Sequence, residues 1–258
     1  MKLKLLSALA LTALVSACGG DKAPAESAAP SDSTKQIRIA TESSFKPFSY
    51  LDNSGNLVGF EIDLANALCE EMKAQCDIQS QDWEGLIPGL NAKKFDAVMA
   101  GMSATEERAK VVDFSDAYFN NTLVLLGKKG VDLNVNALDG KNIAAQQATV
   151  SADYVAANHP NAVVKTYDKQ DNAYLDLSAG RVDGMMSDIV PGLDWLKTEQ
   201  GTEFEVKGEP IDINDTVAIA FRKDDALKDE FNAALAKLKE SGKYDELVGK
   251  YFDQDIVK

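Results

Sequence analysis

Two stretches of the chain repeat one another. Leu90 to Gly101 (LNAKKFDAVMAG) can be laid over Leu177 to Asp188 (LSAGRVDGMMSD), sharing L-x-A-x-[KR]-[apolar]-D-[AG]-[apolar]-M. Each copy reads as the end of a helix, a tight connection and a short buried strand. A unit used twice predicts two similar α/β lobes, and in open α/β sheets a ligand sits just beyond the carboxyl ends of the strands. Both copies therefore point at one cleft, with a wall from each lobe. Chance is the competing explanation, since Leu, Ala, Asp and Met are common where helix runs into strand.

The pattern around the copies supports this. Strands are expected at 37–40, 77–81 and 95–100, with helices at 63–72 and 83–92 between them. Ser103 and Glu106 have capping-box spacing for a short helix, and 122–126 is apolar and extended. The series then restarts, with strands at 142–145, 163–167 and 182–187 and helices at 149–158, 172–179 and 193–199. An extended stretch at 215–221 and amphipathic helices at 226–241 and 244–251 close the chain. Such alternation means right-handed βαβ units and mostly parallel sheets. Residues 36–121 and 216–258 are expected to form lobe 1 and 122–215 lobe 2. Crossings near 120–123 and 214–217 would make a two-stranded hinge that closes around a ligand.

The residues ahead of this have little to bury. Lys2 and Lys4 precede an apolar run from Leu5 to Val15 and then Ser16-Ala17, which reads as a signal peptide over 1–17. The run is shorter than the roughly 20 apolar residues that span a bilayer. Val15-Ser16-Ala17-Cys18 resembles a bacterial lipobox, which implies cleavage before Cys18 and lipid on its sulfur. Residues 18–35 are rich in Ala, Ser, Pro and Asp and read as a flexible tether. The formal charge of −14 disfavours nucleic acid and anionic membrane as partners. The lipid is then the only expected membrane contact, on the periplasmic side of a bacterial envelope (outer or inner membrane) or at a cell surface. Cys69 and Cys76 remain, in a compartment where disulfides persist. A bridge would staple the end of the helix to the next strand and stabilise by roughly 2–3 kcal/mol. Free thiols are the alternative. Metal is disfavoured, since His159 is the single histidine and the spacing is not C-x-x-C.

Several separate motifs now stand in order: Gly59-Phe60-Glu61-Ile62-Asp63-Leu64, the Cys69/Cys76 pair, Asp82 to Leu90 (DWEGLIPGL), Ser103 to Arg108 (SATEER) and Asp113-Phe114-Ser115. Together they resemble solute-binding protein family 3, the polar amino-acid receptors of bacterial ABC importers, and especially its arginine, histidine and lysine/arginine/ornithine receptors. The resemblance covers about Ile37 to Phe252. It implies a two-lobed, type II periplasmic-binding-protein (Venus flytrap) α/β fold. It also implies a monomeric, cofactor-free receptor that hands an amino acid to the transmembrane subunits of an importer. Arg108 falls where the family grips the ligand α-carboxylate, a task that suits a planar guanidinium with its paired donors. The backbone N–H groups of Ser103 and Thr149, each at an expected helix start, would assist. Asp188, the Ser103 hydroxyl and the Gly101 carbonyl would meet the α-ammonium, with Met102 counted in the same run. Phe45 and Trp83 would sandwich the side chain, and Glu42 would meet a distal cation. Gly101 stands where several relatives have serine, and Phe45 where tyrosine is frequent.

Each residue also has a plainer reading. Arg108 can pair with Glu106 or Asp113 on a solvated helix, Ser103 can be an N-cap, Asp188 can cap the next turn, and Glu42 can be a solvated loop acid. With Glu42 solvated, a neutral ligand such as glutamine or cystine fits as well as arginine. Two other functions compete: a dehydratase-like enzyme on the same fold, and a sensing domain. The sequence holds no nucleophile–His–acid set and no metal cluster, which argues against the enzyme.

Overall fold

The computed structural model describes residues 34–252. The expected leader, Cys18 and nearly all of the tether lie outside the described residues. Chain order begins with β1 (Gln36–Thr41) and a small sheet of β2 (Ser44–Phe45), β3 (Ser49–Leu51) and β4 (Leu57–Val58). It continues through α1 (Phe60–Glu71), β5 (Gln75–Ser80), α2 (Leu86–Asn91), β6 (Ala97–Val98), α3 (Glu106–Ala109) and β7 (Asp113–Phe114). The long β8 (Phe119–Lys128) leads to β9 (Asn142–Gln146), α4 (Val150–Asn158), β10 (Val163–Tyr167), α5 (Gln170–Ser178) and β11 (Gly184–Asp188). Then come α6 (Ile189–Leu196), β12 (Phe204–Val206), β13 (Ile211–Val217), β14 (Ala220–Phe221), α7 (Leu227–Glu240) and α8 (Lys243–Tyr251).

The first sheet runs β5-β1-β6-β14-β7, and the second β10-β9-β11-β8-β12 with β13 added on β8. In each, the strands of the βαβ units are parallel: β5, β1 and β6 in one, β10, β9 and β11 in the other. The expected parallel sheets become mixed because β14 joins the first and β8 the second antiparallel. At the start of β8, Phe119, Asn120 and Asn121 lie opposite Val217, Thr216 and Asp215 of β13.

Both sheets are covered on both faces. Leu123 and Leu125 of β8 pack with Ile143, Val155 and Met186, while Val124 and Leu126 pack with Tyr174, Leu177 and Trp195. Consecutive side chains of a strand point to opposite faces, so a run apolar at every residue needs cover on both. In the first sheet, Ile37 and Ile39 meet Phe60, Leu64 and Phe231, and Ala40 and Val98 meet Leu86, Leu90 and Phe95. The expected disulfide is present: Cys69 and Cys76 are joined, with Cα atoms 6.1 Å apart.

Boundaries moved where local chemistry overrode periodicity. Helix α1 starts at Phe60 rather than 63 because Gly59 adopts φ 130°, and Pro47 and Phe48 carbonyls accept the first N–H groups of the helix. A Cβ on Gly59 would lie 2.3 Å from the Phe48 oxygen. Trp83–Gly85 is a 3₁₀ turn ahead of α2. Pro88 then sits in the first turn of α2, where its missing N–H has no helical partner to lose. Pro191 likewise sits in the first turn of α6, so it does not prevent that helix from beginning at Ile189 rather than 193. Strand β6 keeps only Ala97 and Val98 of the expected 95–100. The two- and three-residue strands β2, β3, β4 and β12 carry too few residues for a period to register.

Candidate functional site

A hollow lies between the sheets, lined by residues of both. Its walls come from the carboxyl ends of parallel strands: Glu42 after β1, Ala100 and Gly101 after β6, Gln146 at the end of β9, Gln170 after β10 and Asp188 at the end of β11. Phe45, Trp83, Ser103, Arg108, Thr149, Val150 and Ser151 complete the lining. Of the expected residues, only the Met102 side chain turns elsewhere. It is 1% exposed, packs with Leu86, Leu90 and Val112, and reaches only a neighbouring hollow.

Arg108 is positioned by its helix and by two carbonyls. The Thr105 side chain caps α3 by accepting the Arg108 N–H at 3.2 Å, so the expected Ser103–Glu106 capping box is replaced by Thr105. Ser103 instead sits in an isolated bridge to Val217, ahead of the helix start. The Arg108 guanidinium lies 5.2 Å from the Trp83 ring centre. It donates to the Ser103 carbonyl at 2.8 Å and to the Ala148 carbonyl at 3.0 Å. The Trp83 indole donates to the same Ala148 oxygen at 3.4 Å. Burial pulls the Arg108 pKa down and Asp215, Asp188 and Asp153 pull it up; it stays a cation. Asp113, its alternative partner, is held by Lys223 at 2.6 Å. Thr149 stands at the helix start and its side chain caps α4, accepting the Ala152 N–H at 3.3 Å. Ala148 just before it takes φ 55°, a conformation that glycine adopts more easily.

The acids are buried. Asp188 occupies the N-cap position of α6 but makes no side-chain cap bond. It accepts from the Ser151 hydroxyl at 3.3 Å and from the Asn121 amide. Burial first, then the nearby Asp215 charge, push it up to about 6, against the pull of those two donors and of Arg108. Glu42 is 3% exposed and accepts from the Gln146 amide at 3.0 Å. Burial first, with the charges of Glu61, Asp171 and Asp188, pushes it up to about 7 against the Gln146 bond. The solvated-loop reading of Glu42 is therefore wrong: the short loop after β1 folds its carboxylate inward.

Gly101 carries the tightest backbone approach. It has φ 58°, and a Cβ there would lie 2.2 Å from Phe45 Cε1. Its N–H donates to Glu61 Oε1 at 2.6 Å, and the same oxygen accepts from the Tyr118 hydroxyl. Glu61 belongs to the Gly59–Leu64 motif and is pushed up to about 7, chiefly by burial. The motif thus fixes the backbone on which the cleft wall is built.

Gln146, Ser151 and Gln170 line the hollow without having been singled out from sequence. All three sit at a strand's carboxyl end or in the first turn after it, and the rule that located the cleft would have found them.

Comparison with known proteins identifies the family. The family model for bacterial extracellular solute-binding proteins, family 3, matches residues 37–254. The chain is 37% identical over 265 residues to the L-arginine-binding protein of Pseudomonas aeruginosa, covering 99% of this chain and 98% of that one. It superimposes with TM-score 0.81 and 33% identity on a Salmonella typhimurium periplasmic binding protein solved to explain high arginine specificity, covering 85% of this chain and 100% of the other. An ancestral arginine-binding protein, solved with arginine and with glutamine, matches at 35% identity over 84% of this chain and 98% and 97% of those chains, with TM-scores 0.81 and 0.80. The chain belongs to the bacterial extracellular solute-binding proteins, family 3, has their two-lobed type II fold, and is a binding protein rather than an enzyme.

Proposed function

We propose that the chain captures a basic L-amino acid, arginine first and lysine, ornithine and histidine behind it, and delivers it to the transmembrane subunits of an ABC importer. The observation that carries this reading is charge matching. The charged residues lining the hollow are Arg108, Asp188 and Glu42. That is one cation and two anions, against a ligand with one carboxylate and two cationic groups. Arg108 takes the α-carboxylate with the Thr149 N–H, Asp188 and Ser103 take the α-ammonium, and Glu42 takes the distal cation between Phe45 and Trp83. A buried carboxylate with only an amide for partner is costly, and a ligand cation supplies what it lacks. Lobes of 36–121 with 216–258 and of 122–215 close on the ligand about the β8/β13 crossing. Lipid on Cys18 holds the protein to the membrane; Cys18→Ser should release it to the soluble fraction with ligand affinity unchanged.

The test is a thermal-shift screen of the twenty amino acids plus ornithine and cystine, followed by calorimetry. Arginine should stabilise most. Arg108→Ala should weaken it tenfold to a hundredfold, the equivalent of about 1.5–3 kcal/mol for a charged hydrogen bond. Stabilisation by neutral amino acids with none from arginine or lysine would overturn the basic-ligand reading. The second reading, a neutral amide ligand such as glutamine, is favoured by one contact: Gln146 already gives Glu42 an amide donor at 3.0 Å.

A further inference from the structure

Asp215 is absent from the lining of the hollow, yet it is 9% exposed and touches the residues that face the proposed ammonium. The Ser103 hydroxyl donates to Asp215 Oδ2 at 2.7 Å. The Asn121 amide donates to the same oxygen at 2.8 Å and also bonds the Asp188 carboxylate. The backbone holds this arrangement from both sides. Asn121 and Asp215 are opposite each other in the β8/β13 ladder, and the Ala104 N–H to Thr216 carbonyl bond, 2.8 Å, and the Ala218 N–H to Met102 carbonyl bond, 3.1 Å, bracket Ser103.

We propose that Asp215 is the positioning residue of the ammonium pocket, acting through Ser103. A serine hydroxyl has one proton and two acceptor lone pairs. With its proton committed to Asp215, Ser103 can only accept on its cleft side. An ammonium group only donates, so it is welcomed there, while a ligand carboxylate oxygen, which only accepts, is refused. Asp215 thereby sets which end of the amino acid enters which half of the cleft. The Asn121 amide ties this carboxylate to Asp188, so the acid behind Ser103 and the acid that faces the ligand are held in one network. The inference rests on the amino-acid reading given above.

The experiment compares L-arginine with 5-guanidinopentanoic acid, which is arginine without its α-amino group. Affinities are measured by calorimetry on the full chain, the weaker acid by displacement of arginine. Asp215→Ala should weaken arginine about tenfold or more and the des-amino acid less than about threefold, as for loss of one charged hydrogen bond. Asp215→Asn keeps an oxygen for the Ser103 proton and should recover most of that difference. Equal losses for the two ligands would mark Asp215 as merely structural and overturn the inference, as would no loss at all. If Asp215→Ala does not fold, Asp215→Asn and Asp215→Leu made on Ser103→Ala decide instead. The arginine preference over the des-amino acid should then be the same for both, and a further fall with Leu overturns the coupling. If glutamine is the ligand, glutamine and 4-carbamoylbutanoic acid replace the pair. A wild type that binds no amino acid overturns the amino-acid reading itself, which is a different outcome from an unselective Asp215 variant.

Discussion

The two copies of the repeat, one in each sheet, are built alike up to their last residue. In the first, Lys93 takes φ 60° at the end of α2; in the second, Gly180 takes φ 70° at the end of α5. The closing bonds correspond: Lys94 N–H to the Gly89 carbonyl, 3.0 Å, and Arg181 N–H to the Asp176 carbonyl, 2.9 Å. The shared aspartate then ties the neighbouring strand. Asp96 accepts from the Arg38 N–H at 3.1 Å and Asp183 from the Asn142 N–H at 2.7 Å. The twelfth position differs, Gly101 in one copy and Asp188 in the other. Both face the hollow, one offering bare backbone and the other a carboxylate. The scaffold sets where the slot is, and the residue in it decides what the slot does.

Exchanging the slot residues breaks the comparison most severely. Gly101→Asp forces a side chain into the Phe45 ring at positive φ, and no ligand should bind by calorimetry at any usable concentration. Asp188→Gly removes one charged partner and should weaken an α-amino acid tenfold to a hundredfold. Unchanged binding in either would mean the slots are not equivalent.

The paired aspartates should separate in stability. Asp96 also holds the Arg38 guanidinium through two bonds, 3.0 and 2.9 Å, so Asp96→Ala should cost about 2 kcal/mol in urea unfolding. Asp183 meets the neutral Asn142, and Asp183→Ala should cost about 1 kcal/mol. The reverse order would show that sheet position outweighs the partner's charge.

Titration separates the lobes' acids. Glu42 and Asp188 have folded-state pKa values of about 7 and about 6, above their ordinary 4.5 and 3.8. In the empty protein their contribution to stability is therefore fullest below those ordinary values and is lost as pH rises through 6 and 7. A cationic ligand needs both ionised, so arginine affinity should rise over the same window. Glutamine affinity should rise less steeply, through Asp188 alone, and Glu42→Gln should bring arginine's slope down to glutamine's. Parallel slopes in the wild type would remove Glu42 from the ligand's reach.

The smallest effect lies in the helix caps. Lys93→Gly should stabilise by about 0.5–1 kcal/mol by relieving a left-handed lysine, and Gly180→Ala should destabilise by a similar amount. A Cβ at Gly180 would meet nothing within 4 Å, so the backbone alone sets that cost.

Much of this was legible in advance, for identifiable reasons. The repeat located the cleft because a helix end, a turn and a buried strand each leave a residue signature. Arg108, Asp188 and Trp83 were reached through the family resemblance, since on residue chemistry alone each had a plainer reading as a surface ion pair, a cap or a core aromatic. Gln146 and Gln170 were not reached, since a glutamine has no charge or ring to draw notice, although each stands at or just after the carboxyl end of a strand. Asp215 was hidden for a deeper reason: its partners Ser103 and Asn121 are 112 and 94 residues away along the chain. Met102 misled because it stands between two cleft residues, and the turn there sends its side chain into the core.

The Cys69–Cys76 bridge has a consequence for how the chain reaches a single pairing. Its cysteines are 7 residues apart, whereas Cys18 is 51 residues from Cys69. Loop-closure entropy favours the nearer partner by about 1.8 kcal/mol, or roughly twentyfold. Oxidation of the unfolded chain is thus biased toward the native pair before any sheet exists, and the N-terminal cysteine is left over for other chemistry without a proofreading step.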